Sequence, residues 1–217
     1  MSDIFQEVDE EVRREKLKQL WERHSNLIVA AALAVVLAVG GWRGYDWYVA
    51  RQAAVAGSQF EAAVALAEQG KTADAEAAFG KIAAEARGGY ATLARFRAAA
   101  ELAKSRKDEA VKAYDALAAE GSLSPLWQDL AGIRAALLIV DTAPLSEMQR
   151  RLEPLAESGR AYRHSARDLL ALSAWRAKDM AAAKKYLDMI AGDAETPPGI
   201  RSRADVLAAL MAGNGKS

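Results

Sequence analysis

Residues 27–42, "LIVAAALAVVLAVGGW", hold sixteen positions without a charged or strongly polar side chain, and this run constrains the chain more than any other feature. As a helix rising about 1.5 Å per residue it covers roughly 24 Å, slightly less than the ~30 Å of a bilayer's hydrocarbon core. Ser25, Asn26 and Gly44 can extend it, and Arg43 can carry its charge to a headgroup layer along its own methylene stem. Trp21 stands before the run, and Trp42, Tyr45, Trp47 and Tyr48 stand after it, where amphipathic rings sit at a membrane interface. A core helix would confine its apolar residues to one stripe, whereas here they occupy every face. A cleaved signal peptide would open on a short basic segment. Here seven acids accompany five bases before the run, although "AVG" at 38–40 has the small residues of a cleavage site. The run therefore reads as an uncleaved signal anchor.

Lysine and arginine set the orientation of such an anchor. Arg13, Arg14, Lys16, Lys18 and Arg23 precede it, and only Arg43 and Arg51 follow closely, so the N-terminus is expected in the cytoplasm. In a bacterium this places the chain beyond about residue 45 in the periplasm, on an inner membrane crossed once. The expected division is a juxtamembrane segment over 1–24, the anchor over 25–48, a helical domain over 49–212 and a tail over 213–217. Ile4, Val8 and Val12, with the acid-first pairs Asp9–Arg13 and Glu10–Arg14, predict a short amphipathic helix in the first segment. Gly40 and Gly44 form a GxxxG pair, the close-approach spacing of membrane helices, which leaves room for weak self-association or a partner contact, although the pair lies at the end of the span and has no second small-residue pair beside it.

The 217 residues balance 29 bases against 29 acids, which argues against a nucleic-acid binder with its basic excess. The absence of cysteine excludes disulfide scaffolds, thiolate metal sites and thiol catalysis.

Beyond the anchor no alternating β-branched run occurs; alanine-rich helical patterns are broken at 68–72, 87–89, 105–108, 120–125, 141–144, 158–160, 177–179 and 192–199. These breaks predict an all-α domain of about nine helices after the span. Ser124 before Pro125 reads as a helix start, and Gly121, Gly159 and Gly192 suit left-handed helix ends. Phe79, Tyr114 and Tyr186 hold similar places in their helices. The first two are 35 residues apart and the last two 72, with Leu152 of "EMQRRLEPLA" standing where the missing member falls. The period and the pairing of small-residue first helices with "A…Y/F" second helices resemble tetratricopeptide repeats, an α-solenoid of antiparallel helix pairs. Pro154 departs from that pattern and predicts a kink or break. Phe60, Phe79, Phe96, Leu102, Tyr114, Trp127 and Trp175 are expected to fill the gaps between closely packed alanines, and "IRSRADVLAALMAG" is expected to cap the stack.

No nucleotide-binding, nucleophile-elbow or metalloprotease motif is present, and neither His24 nor His164 has a second ligand at metal spacing. Asp108 and Glu109 are expected in a solvated turn, which does not suit acid catalysis. No catalysis and no cofactor or metal are expected. The densest basic group, Arg95, Arg97, Lys104, Arg106 and Lys107, reads either as a solvated face or as the basic edge of a partner-binding groove. The domain's single asparagine is Asn214, in the tail, so the asparagine-and-lysine clamp for a C-terminal carboxylate is not expected.

The span ending "GGWRGYDWY" (40–48), "FEAAVALAEQGK" (60–71), the block "GGYATLARFRAAAELAKSRKDEAVKAY" (88–114) and "LLALSAWRAKDMAAAKKYL" (169–187) together resemble the ancillary subunit family of the bacterial Sec translocon. That resemblance implies a single-pass inner-membrane protein with a periplasmic tetratricopeptide-like domain, associated with translocon subunits, with emerging client proteins and with periplasmic chaperones. It supplies no catalytic residue. A cell-envelope or membrane-complex assembly scaffold unrelated to secretion is the alternative with the same topology, and an enzyme would require a pocket that brings His164 against buried acids.

Overall fold

The computed structural model describes residues 3–214, without the side chains of residues 3–13, 16, 17, 19, 20 and 214. Nine helices make up the described residues: α1 (Asp3–Glu68), α2 (Thr72–Glu85), α3 (Gly89–Leu102), α4 (Lys107–Ala118), α5 (Pro125–Ile139), α6 (Leu145–Ala156), α7 (Arg163–Arg176), α8 (Met180–Ala191) and α9 (Pro198–Asn214). No strand occurs among them. The chain is all-α, as its alanine-rich periodicity predicts, and each of the eight expected breaks falls between two helices. The helix expected to open the domain is not separate, because α1 runs without interruption through residues 24 and 48.

The chain divides into two compact units between Val55 and Ala56. In the first, α1 carries a window long and apolar enough to cross a membrane, and none of that window is buried by protein. The side-chain pattern expected at Ile4, Val8 and Val12 lies outside the described residues.

The second unit packs its helices around three apolar clusters. Ala63, Ala75, Phe79, Ile82 and Ala94 join the end of α1 to α2 and α3. Phe96, Ala99, Tyr114, Leu117, Ala131 and Ala135 join α3, α4 and α5. The largest cluster runs from Ile133 on α5 to Ala204 on α9. Alanines with no exposed surface recur at the helix contacts, where a larger side chain would force backbones apart. Phe79, Tyr114, Leu152 and Tyr186 are all buried at equivalent places in α2, α4, α6 and α8, so leucine does in α6 what an aromatic ring does elsewhere. Phe60 meets Phe79 at 5.2 Å between ring centroids, and Phe96 meets Trp127 at 5.3 Å. Phe60, Leu102, Trp127 and Trp175 are only half-buried, a correction to the expectation of core positions throughout.

The helix ends depart from several expectations. Gly121 and Gly192 are not left-handed; of the three glycines expected so, only Gly159 is, with φ +89°. The left-handed turn after α1 falls instead on Gly70, and the one after α7 on Lys178, with φ +60°. Each of these turns returns an amide to the carbonyl five residues back: Lys71 to Leu66 at 3.0 Å and Asp179 to Ala174 at 2.9 Å. Ser124 precedes α5, but its side chain caps nothing; the side-chain cap is at α8, where Asp179 accepts from the Ala182 amide at 2.9 Å. Pro154 sits two residues before the end of α6 and does not break it.

Candidate functional site

Helices α7 and α9 lie against the same core cluster and leave an open groove of about 340 Å³ between them. Asp168, Leu172 and Trp175 line it from α7 at spacings of four and three, so all three share a face of that helix. Ser202, Arg203, Val206, Leu207 and Leu210 line it from α9. Leu172, Val206 and Leu210 keep 38%, 59% and 51% of their surfaces exposed, while Trp175 and Leu207 also pack on the core beneath. Both Nε and Nη2 of Arg203 donate to one oxygen of Asp168, at 3.1 and 2.6 Å, and this pair is the groove's polar end. Apart from Ser202, the other lining side chains are leucine, valine and tryptophan. The sequence reading placed Trp175 in the core and α9 as a plain cap, and so missed the groove.

The α8–α9 connection is tied to α7 by a compact polar cluster. Arg167, almost fully buried, donates to the Ala156 carbonyl at 2.9 Å, the Met189 carbonyl at 3.3 Å and Asp193 at 2.8 Å. Arg163 donates to Asp193 at 2.9 Å and also to Glu195. These guanidiniums, Arg163 first, hold the Asp193 carboxyl well below the usual carboxylate range. The buried His164 ring lies 3.2 Å from the Thr196 hydroxyl, which itself donates to the Ile190 carbonyl at 2.8 Å. Burial first, then the neighbouring Arg163 charge, lowers the imidazole pKa below its ordinary 6.5.

Among known families, a model described as tetratricopeptide repeat-like domain matches residues 18–169. The chain belongs to that family. The comparison with curated proteins and the comparison with solved structures each gave no match. Tetratricopeptide repeat-like domains are protein-interaction modules, and their helix pairs account for the recurrence of Phe79, Tyr114, Leu152 and Tyr186. The matched stretch ends within α7, before Leu172 and the whole of α9.

Within this tetratricopeptide repeat-like domain the five basic residues are dispersed. Arg95 pairs with Glu120 at 2.5 Å, beyond the end of α4, whereas the Arg97 guanidinium lies 5.7 Å from the centre of the Phe79 ring on α2. Lys104 pairs with Glu101 at 2.6 Å, and Arg106 bonds Glu76 and, at 3.1 Å, Glu109. Lys107 is exposed at the start of α4. Two hydrogen bonds, from Arg95 and from Ser122, bring the Glu120 carboxyl down to about 2. On α1, Trp21, Trp42, Arg43, Tyr45, Trp47 and Tyr48 are exposed, with the Arg51 guanidinium 5.4 Å from the Trp47 ring centre. Among the described residues, nothing from elsewhere in the chain lies within 4 Å of a Cβ placed at Gly40 or Gly44. His24 is exposed, and the described residues contain no group of three or more histidines, cysteines and carboxylates able to hold a metal ion.

Proposed function

We propose that this chain is a non-catalytic, membrane-tethered protein-binding module ancillary to the Sec translocon, which links emerging proteins to periplasmic chaperones. The observation that carries the binding role is the lining of exposed Leu172, Val206 and Leu210 with half-buried Trp175 between α7 and α9, in a protein-interaction fold. The long exposed apolar window of α1 supports the tether, and its aromatic and arginine flanks suit a membrane interface. The translocon assignment rests on the sequence resemblance.

The chemistry of the groove favours one kind of occupant. An extended peptide would bury its backbone amides and carbonyls against hydrocarbon, with only Ser202 and an already paired Asp168 and Arg203 to answer them. A helix brings those groups already paired and offers apolar side chains at spacings of three and four. The occupant in this reading is therefore an amphipathic helix of a partner protein, contacting the groove over about two turns. The basic residues from Arg95 to Lys107 would act as a second contact edge, where acids of a partner compete with Glu76, Glu101 and Glu120.

Photocrosslinking in cells tests this, with probes at Leu172, Val206, Arg95 and Lys104 and mass spectrometry of adducts from isolated membranes. Translocon subunits or periplasmic chaperones are the expected adducts. Adducts confined to wall-synthesis or division proteins would move the function to an envelope-assembly scaffold. Equal yields from Leu172 and from an exposed site remote from the groove would overturn the groove as the contact.

A further inference from the structure

The groove depends on α9 staying beside α7, and the α8–α9 connection is fastened to α7 through His164. The Thr196 hydroxyl has one hydrogen, and it goes to the Ile190 carbonyl at 2.8 Å. Its oxygen can then only accept from His164, so the Nδ1 that stands 3.2 Å away carries the ring's proton. Nε2 is the site left for a second one. Both partners are buried, His164 at 8% exposure and Thr196 at 5%, so a charge acquired there is not solvated by bulk water.

The surroundings of the ring do not welcome that charge. From α7, Arg163 and Arg167 face it, and from the α8–α9 connection, Asp193 and Glu195; Arg201 of α9 holds the same connection by donating to the Ala191 and Asp193 carbonyls. The end of α6 contributes the Ala156 carbonyl, and α8 those of Met189 and Ile190, all already accepting hydrogen bonds. Asp193 lies 3.8 Å from Nδ1, but its carboxylate already serves Arg163 and Arg167. Two guanidiniums already balance two carboxylates before the imidazole gains anything, so its proton adds a buried charge that no free group answers. A neutral His164 completes the network, and a cationic one overloads it.

We infer that His164 is an acid-sensitive latch on the groove: its protonation at Nε2 loosens the α8–α9 connection and lets α9 part from α7. The latch regulates the site read above as a protein-binding groove and rests on that reading for its purpose, though not for its operation. Its direction follows from linkage. The imidazole pKa is lower in the folded chain than in the opened one, so the opened form binds more protons in the window between them. The latch holds fully above the ordinary imidazole value of 6.5 and weakens as pH falls through that window toward the lowered folded pKa. Asp193 stays ionised throughout, held low by Arg163 and Arg167, so its own titration does not produce the change.

Hydrogen exchange on the full chain in detergent micelles, corrected for the intrinsic pH dependence of exchange, reads the latch without any partner. Between about pH 7 and pH 5.5, opening of residues 193–211 is expected to rise about threefold or more, while the amides of α2 and α3 stay level. The chain has two histidines, so His24→Gln leaves His164 as the single imidazole signal to titrate by NMR. The imidazole should titrate below 6.5 in the same window as the exchange change, and His164→Gln should flatten the pH profile of α9. A pH-independent α9, or one that loosens only at pH values below the imidazole's own titration, overturns the latch. If His164→Gln does not fold, the wild-type titration decides alone. Crosslinking at neutral pH tests the groove as a binding surface separately, so either reading can fail without the other.

Discussion

At the scale of single residues, polar groups in the interior are almost all answered. Tyr114, whose pKa burial raises, donates to the Phe96 carbonyl at 3.2 Å, and the Tyr186 hydroxyl lies 2.7 Å from Glu153. Ser173 is the contrast. Its hydroxyl has no exposed surface and no hydrogen-bond partner among the described residues, within the cluster formed by α7 and its neighbours. Burying a hydroxyl unpaired costs about 1–3 kcal/mol, and removing it leaves only a small gap. Ser173→Ala is therefore expected to stabilise the chain by about 1 kcal/mol, read as a higher denaturation midpoint with unchanged slope. A loss of stability would mean that the hydroxyl is paired in solution. The interior aromatics were legible in the sequence, because Phe79, Tyr114 and Tyr186 recur with the period of the repeat. The ion pairs were not. Arg95, Lys104 and Arg106 form a dense basic group in the sequence, but Glu76 and Glu120 reach Arg106 and Arg95 only through folding, from 30 and 25 residues away.

At the scale of helices, the eight breaks were legible because glycine, proline and charged turn residues interrupt long alanine patterns. Which residue in a break turns left-handed was not. Glycine tolerates that conformation without requiring it, and tertiary packing puts it at Gly70, Gly88 and Gly159 while leaving Gly192 right-handed at φ −76°. Lys178 takes it with a side chain, at φ +60°, to close α7 and begin α8 at Asp179. A Cβ in that region costs roughly 1 kcal/mol. Lys178→Gly should then raise stability by about that amount, and Gly159→Ala, at φ +89°, should lower it by a similar or larger one. Thermal denaturation of the two variants should shift in opposite directions. Shifts of the same sign would show that Lys178 compensates its strain through contacts of its side chain.

At the scale of the whole molecule, the long apolar window of α1 and the repeat-like helices differ in the sequence because one is apolar on every face and the others alternate small and large residues. The groove between α7 and α9 could not be read in the same way. Leu172, Val206 and Leu210 continue the apolar pattern of their helices, and only packing decides which members of that pattern stay uncovered. The division at Val55 and Ala56 makes a further prediction. All three apolar clusters draw their residues from the second unit, and the membrane-length window contributes nothing buried. A chain beginning at Ala56 therefore keeps every cluster that opposes its conformational entropy. It should be soluble without detergent, show a helical circular dichroism spectrum and unfold cooperatively, with a midpoint within about 5 °C of the full chain. The full chain should sediment with membranes, and the shortened one should not. A shortened chain that is helical but unfolds without cooperativity would show that residues 3–55 help to hold the repeats together, and the helix α1 would then have to be treated as part of the first repeat's core along its whole length.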